Sequence, residues 1–272
     1  MAKFWNILRQ AVQPNRAVVM VQKIVKRLRD PSGSHDAAEN LAWITTNRSN
    51  FEELAKQLDA SLWEETVAAS KRLDENAQKV LATIPHKLGG SAMHPLLYFL
   101  TRHLKPAVIV ETGVATGYSS AAFLQAITHN GQGRLYSSDF PYFRIENPER
   151  YIGVVVPEAL KANWDLHIEG DAKNLPLILA SAGTVDLFHY DSDKSYSGRE
   201  EALQLIEPAL STDAVILMDD IDDNSFFYDL VEHRFPNAIS RPTSQPTAST
   251  EKAWHIFEFQ GRHVGMIGRI NP

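Results

Sequence analysis

The stretch Ala107-Val108-Ile109-Val110-Glu111-Thr112-Gly113-Val114-Ala115-Thr116-Gly117-Tyr118-Ser119 reads as a strand, a turn and the start of a helix. Its apolar, largely β-branched run suits a short buried strand. Gly113 and Gly117 let the backbone turn tightly and approach a ligand. The helix opening near Ser119 leaves unpaired amides beside that turn.

The same alternation continues downstream. Strands are expected at 134–139, 166–169, 185–190 and 214–218, with helices at 119–129, 157–163, 175–182, 198–210 and 225–234. Segments 254–259 and 263–267 around Gln260-Gly261-Arg262 read as a hairpin. Alternating strands and helices predict a mostly parallel sheet with helices on both faces. Upstream, the pattern is helical. Residues 16–29 show one apolar and one basic face, 35–46 form a second helix, and a third starts after the N-cap residue Asn50 and runs with a break to about 84. Gly89-Gly90-Ser91 is a hinge, and 93–103 is a further helix. Ser240–Thr250, rich in Ser, Thr and Pro, is expected to be a loop.

The chain has 272 residues, 44% of them apolar and 22% charged, and no cysteine. This is ordinary globular composition, and it excludes disulfide scaffolds, thiolate catalysis and cysteine metal sites. No bilayer-length apolar run and no signal-peptide pattern are present, so a cytoplasmic protein is the default expectation. The net charge of −6 hides an asymmetry: residues 1–29 carry seven basic side chains and no acid, leaving −13 on the other 243. The basic stretch 14–29 suits an anionic membrane surface on the inner face of the membrane, an acidic substrate, or simple packing on the body or on a second subunit of a dimer.

In sheets of this kind ligands sit at the carboxyl ends of the strands. Glu111, Asp139, Asp171, Asp191, Asp193, Asp219 and Asp220 all fall there. Neither G-x-G-x-x-G nor the P-loop pattern is present, which disfavours dinucleotides and nucleoside triphosphates. An acid ahead of the turn repels phosphate and suits a cation, and Asp139 is placed for ribose hydroxyls. A ligand with ribose and a positive charge but no phosphate fits S-adenosylmethionine. Asp191, Asp219 and Asp220 follow two successive strands, and clustered carboxylates call for a cation or protons. Their oxygen-only chemistry points to Mg²⁺, Mn²⁺ or Ca²⁺. Asp222 and Asp223 read as loop or cap residues. Lys194, three residues after Asp191, could serve as a base if a nearby cation lowers its pKa.

Together these motifs resemble the metal-dependent class I O-methyltransferases of the catechol and caffeoyl-CoA type. Glu111-x-Gly113-x-x-x-Gly117-Tyr118-Ser119 resembles the family's cofactor loop, Gly170-Asp171-Ala172 its adenine-contacting turn, Asp191-x-Asp193-Lys194 its D-x-D-K element, and Asp219-Asp220, 28 residues after Asp191, its D-[DN] pair. The resemblance covers about residues 88–270. It implies a Rossmann-like fold with a seven-stranded sheet and a C-terminal antiparallel hairpin (88–272), preceded by a helical extension (1–87). It implies a cofactor held by Glu111, Gly113, Gly117, Tyr118, Ser119, Asp139, Asp171, Ala172 and Asp191, with Asp139 on the ribose. Asp191, Asp219 and Asp220 would hold Mg²⁺, and Lys194 would be the base.

Two departures matter. Asp220 stands where the catechol enzymes have Asn. Asp191-x-Asp193-x-x-Tyr196 is similar to bacterial enzymes acting on sugars or natural products, which makes Asp193 a rival base. The acceptor implied is a small-molecule or glycan hydroxyl. Other group transfer or hydroxylation on the same fold, and a membrane-peripheral cofactor-binding accessory, are the alternatives. Nucleic acid is disfavoured by the acidic body and by the lack of an N-P-P-[YF] element. Met93, His94, Trp164, His189, Trp254 and His255 are candidates for the acceptor pocket.

Overall fold

The computed structural model describes residues 30, 33–90, 93–142, 145–234 and 254–270. The basic segment 1–29, its expected helix and membrane contact, and the 240–250 loop lie outside the described residues. The elements in chain order are α1 (Ala37–Asn47), β1 (Arg48–Ser49), α2 (Phe51–Leu81), α3 (His94–Leu104), β2 (Val108–Thr112), α4 (Tyr118–Asn130), β3 (Arg134–Ser138), β4 (Trp164–His167), α5 (Asp171–Ala182), β5 (Val185–Tyr190), α6 (Tyr196–Ile206), β6 (Leu210–Met218), α7 (Phe226–Asp229), β7 (Trp254–Phe259) and β8 (Arg262–Ile267). Among the described residues no helix is long and apolar enough to cross a membrane.

Alternation along each strand builds two cores at once. In β2, Ile109 enters one core and Val110 the other; Leu187 and Phe188 of β5, and Val215 and Ile216 of β6, divide the same way. Period-two side-chain geometry makes this the signature of a sheet covered on both faces. One core takes α2, α3 and α4, through Phe51, Leu73, Leu97 and Phe123. The other takes α1, α5, α6 and α7, through Ile44, Ile178, Leu203 and Phe226.

The sheet runs β1-β7-β8-β6-β5-β2-β3-β4. Only β8 is antiparallel to its neighbours. Chain order reverses direction between β2 and β5, which makes their carboxyl ends the topological switch point.

Several expectations need correction. The sheet has eight strands rather than seven, because the two-residue β1 adds beside β7, with Arg48 opposite Ile256. A pairing that short leaves no periodicity to read. The third expected strand lies at Trp164–His167, two residues early, because the apolar Leu166 and Ile168 drew its frame forward. Helix α5 starts at Asp171 and carries Pro176 inside it. Helix α6 starts at Tyr196, with Ser195 as N-cap, and ends at Ile206. The break in α2 is local: Asp59 has extended backbone (φ −160°, ψ 97°), and its carboxylate accepts from Leu62 N at 2.8 Å. Asn50 is the N-cap of α2 as expected, accepting from Glu52 N at 3.0 Å.

Candidate active site

The turn after β2 packs against the loop after β5. Gly113 has φ +84°, and a Cβ there would lie 2.2 Å from the carbonyl oxygen of Asp191. Gly117 has φ +98° and lies against Gly153. Both glycines are therefore required by neighbouring backbone, not only by ligand approach. Asp139, at the end of β3, braces the turn: its carboxylate accepts from Ala115 N at 2.8 Å and from Phe140 N at 2.6 Å. Ala115 has φ +48°, so this bond secures a left-handed residue. Asp171, at the start of α5, accepts from Ser138 Oγ at 2.6 Å and from Ser192 Oγ. It thus ties β3 to the Asp191-x-Asp193 loop. Ala172 beside it is exposed, while Tyr118 and Ser119 are buried at the first turn of α4.

Glu111 points inward. It is fully buried, and one carboxylate oxygen accepts from Ser120 Oγ at 2.6 Å and Ser137 Oγ at 2.8 Å. The other oxygen stands 3.9 Å from His189 Nδ1. On its far side, His189 Nε2 is 3.7 Å from Asp219 Oδ1. Burial pushes this imidazole down, but the carboxylates of Asp219, Glu111 and Asp191 outweigh it and hold its pKa above the ordinary histidine value. His189 is thus a buried bridge between two acids and does not line a pocket.

Asp191, Asp219 and Asp220 sit at the ends of the adjacent strands β5 and β6, as the spacing predicts. Tyr190 pairs with Met218, and Asp219 N donates to Tyr190 O at 2.9 Å. The Lys194 ammonium bonds Asp191 Oδ1 and lies 3.1 Å from Asp220 Oδ2. Arg262, at the start of β8, reaches Asp220 at 3.1 Å. Burial and the charge of Asp219 push the Asp191 carboxyl up to about 6, against the pull of Lys194. For Asp219, burial raises the pKa, but His189, Lys194 and Arg199 win and hold it below the usual carboxylate range. For Lys194, burial lowers the pKa, but Asp191, Asp220 and Asp219 win and keep Nζ charged.

This donor set fits a hard divalent cation in kind, since it offers carboxylate oxygens alone. Among the described residues, however, no three acidic or histidine side chains are gathered as a formed metal site. Asp191 and Asp220 converge on the lysine ammonium, and Asp219 turns to His189. Like charges repel, so each carboxylate takes its nearest cation. Asp193, the rival base, is used locally: Oδ1 accepts from Ser195 N at 3.1 Å, and its side chain packs on Gly198.

Arg199 was not singled out by sequence reasoning. It is 1% exposed and donates to the backbone carbonyls of Asp219 at 3.0 Å and Asp220 at 2.7 Å. Asp220 has φ +52°, so this guanidinium holds a strained residue, and Asp219 before it, in place. Of the other pocket candidates, Trp164 donates its indole N–H to Ser137 Oγ at 2.9 Å, Trp254 packs at a tilt against Trp43, and His255 stacks on Phe257. His94 is buried, with Nε2 3.4 Å from Asp74. Met93 lines a cleft with Phe51, Trp63 and Phe259.

Residues 110–221, which span the glycine turn and both acid motifs, match a family model described as a methyltransferase domain. No curated protein matches this chain. Similar solved structures include the SAH-bound Podospora anserina methyltransferase PaMTH1 (14% identity, 81% of this chain and 97% of that chain, TM-score 0.48). The O-methyltransferase TomG from Streptomyces achromogenes, in complex with SAM, is another (14% identity, 74% and 89%, TM-score 0.45). A third is the O-methyltransferase from Bacillus cereus in complex with SAH (14% identity, 83% and 100%, TM-score 0.45). Within the matched segment, the switch point, the glycine turn and the acids share one sheet edge.

Proposed function

We propose that the protein transfers a methyl group from S-adenosylmethionine to a hydroxyl of a small molecule or glycan. One observation carries this reading: within the matched segment, the glycine turn and the acids ending β2, β3, β5 and β6 converge on one sheet edge. An acidic edge suits a sulfonium cation, and it repels the phosphates of a nucleotide.

In this reading Asp139 accepts from the ribose hydroxyls. Asp171 and Ala172 flank the adenine, and Gly113, Gly117, Tyr118 and Ser119 shape the donor's seat. Glu111 supports that seat from behind. Asp191, Asp219 and Asp220 would hold Mg²⁺ or a similar ion, which would act as a Lewis acid and lower the pKa of an acceptor hydroxyl. Lys194 is the better base of the two, because its Nζ stands among these carboxylates while the Asp193 carboxylate is engaged by the Ser195 amide ahead of α6. The three acids that keep Nζ protonated must have their charge offset before it can accept a proton. The acceptor oxygen then bonds to the methyl carbon, the carbon–sulfur bond breaks, the donor leaves as a neutral thioether, and Lys194 holds the acceptor's proton.

Calorimetry with S-adenosylhomocysteine tests the cofactor. Binding is expected, with stabilisation of about 2.7 kcal/mol at 100 times Kd, and Asp139→Ala should weaken it at least tenfold. No binding at millimolar ligand would sink the proposal. Methyl transfer that persists in EDTA and in Asp191→Asn would overturn the metal alone.

A further inference from the structure

Resting on the proposed methyl transfer with Lys194 as its base, we infer that Asp30 and Asn40, both in the N-terminal extension, are positioning residues that tie the two acid loops together around Lys194. The extension lies outside the stretch that carries the catalytic motifs. Its side chains nevertheless restrain the backbone on both sides of the lysine.

Asp30 makes the first tie. Its Oδ2 accepts from Tyr196 N at 2.8 Å, and its Oδ1 accepts from Ser197 N and Ser197 Oγ, both at 3.0 Å. The next amide, Gly198 N, donates to Ser195 Oγ at 3.0 Å. The first three amides of α6 are thus satisfied, two of them by a carboxylate 166 residues earlier in the chain than Tyr196. The helix dipole favours a negative charge at this end. Three residues after Asp30 the chain is wedged in place. Gly33 has φ +87°, and a Cβ there would lie 2.0 Å from Ser225 Oγ and 2.8 Å from the Tyr196 ring. Ser34 N then donates at 3.2 Å to Asp229 Oδ2, which also accepts from Ser225 Oγ at 3.0 Å and Tyr196 Oη at 3.1 Å.

Asn40 makes the second tie. It is 1% exposed, and its Nδ2 donates to Ile221 O at 3.1 Å and Asn224 O at 3.0 Å. Both carbonyls belong to the loop that Asp219 and Asp220 open. Asn224 passes the restraint on, because its Nδ2 donates to Lys194 O at 2.8 Å. Lys194 is therefore held by its own carbonyl and, two residues on, by the Tyr196 amide, while Nζ meets Asp191 and Asp220. Apolar packing does not require these bonds, since α1 already buries Ile44. A buried amide that gives both hydrogens to one loop fixes where that loop sits, because leaving them unpaired is costly. The lysine stem is flexible, so Nζ keeps its place only if the backbone beneath it does. Misplacing a reacting group by about 1 Å can cost about a hundredfold in rate.

The test reads the lysine itself, in the full chain saturated with S-adenosylhomocysteine. Trace acetylation by acetic anhydride is followed by peptide mass spectrometry, with Lys71, exposed on α2, as the internal reference. Wild-type Lys194 should react about tenfold more slowly than Lys71, since a charged ammonium among carboxylates is a poor nucleophile. Asp30→Ala and Asn40→Ala should each raise Lys194 labelling about threefold or more, the scale of one lost hydrogen bond. Retained affinity for S-adenosylhomocysteine shows that each variant is folded. Glu65→Gln is the control: it breaks a network between α2 and α3, touches neither loop, and should leave Lys194 labelling at the wild-type value. Where Asn40→Ala, which empties a buried position, does not fold, Asp30→Ala decides alone. Wild-type Lys194 reacting as fast as Lys71, unchanged labelling in folded Asp30→Ala, or an equal rise in Glu65→Gln would overturn the inference. A wild-type chain that binds no S-adenosylhomocysteine would instead strike the methyl-transfer proposal, and the melting temperature would then report folding in the labelling series.

Discussion

At position 113 a methyl group would sit 2.2 Å from one backbone atom of Asp191 and 2.5 Å from another. Neither is the end of a flexible side chain, so the strands would have to part. Gly113→Ala should cost about 1–3 kcal/mol, the usual scale of such backbone strain, and should weaken S-adenosylhomocysteine binding by moving the turn. Urea denaturation and calorimetry on the variant check both; unchanged values would mean that the turn yields freely. The glycine was legible in sequence as a turn, but its partner was not, because Asp191 comes close only through the pairing of β2 with β5. Arg199 shows the same limit. Its partners are carbonyls, which any residue supplies, so no spacing marks it. The acids at 139, 171, 191, 219 and 220 were legible because strand ends are local features.

Capping chemistry located the start of α2 but not that of α6, whose N-cap Ser195 precedes the expected start at 198. Asn50 announced α2, and the structure gives it that role. For α1 the sequence reading began at His35, whereas the cap is Asp36. Its carboxylate accepts from Ala38 N and Glu39 N, both at 2.9 Å, and Glu39 returns a bond to Asp36 N. Asp36→Ala removes this capping box and should cost about 1 kcal/mol. For a chain this long, that is a fall of about 2–4 °C in thermal midpoint. A scan showing no fall would mean that the packing of Ile44 and Asn40 alone holds α1. Helix α5 was harder to bound. The sequence reading began it at 175, but Asp171 begins the helix a turn earlier, where a carboxylate is favoured by the helix dipole.

Over the whole molecule, Glu65 joins three helices. From α2 it accepts from Tyr98 Oη at 2.6 Å and Arg102 Nε at 2.7 Å on α3, and it faces His129 of α4 at 3.6 Å. The hydrogen bond from Arg102 lowers its pKa from 4.5 to about 2. A carboxyl lowered on folding stabilises the fold above its unfolded pKa, and that contribution fades as pH falls towards the folded value. The stability advantage of wild type over Glu65→Gln should therefore be full above about pH 5 and shrink as pH falls through the 4.5-to-2 window. Urea midpoints across that range measure it, and a pH-independent difference would refute the coupling. This network was absent from the sequence reading, as were the eighth strand and the pairing of each acid. The alternation of short apolar strands with amphipathic helices, the glycine turn and the acids at strand ends were determined by the sequence itself, since each is set by neighbours within a few residues. Tertiary structure alone decided that Lys194 meets Asp191 and Asp220, that His189 bridges Glu111 and Asp219, and that Arg262 crosses to Asp220. Those contacts follow from strand register and burial, which bring distant charges within reach and leave each buried acid to find its nearest cation.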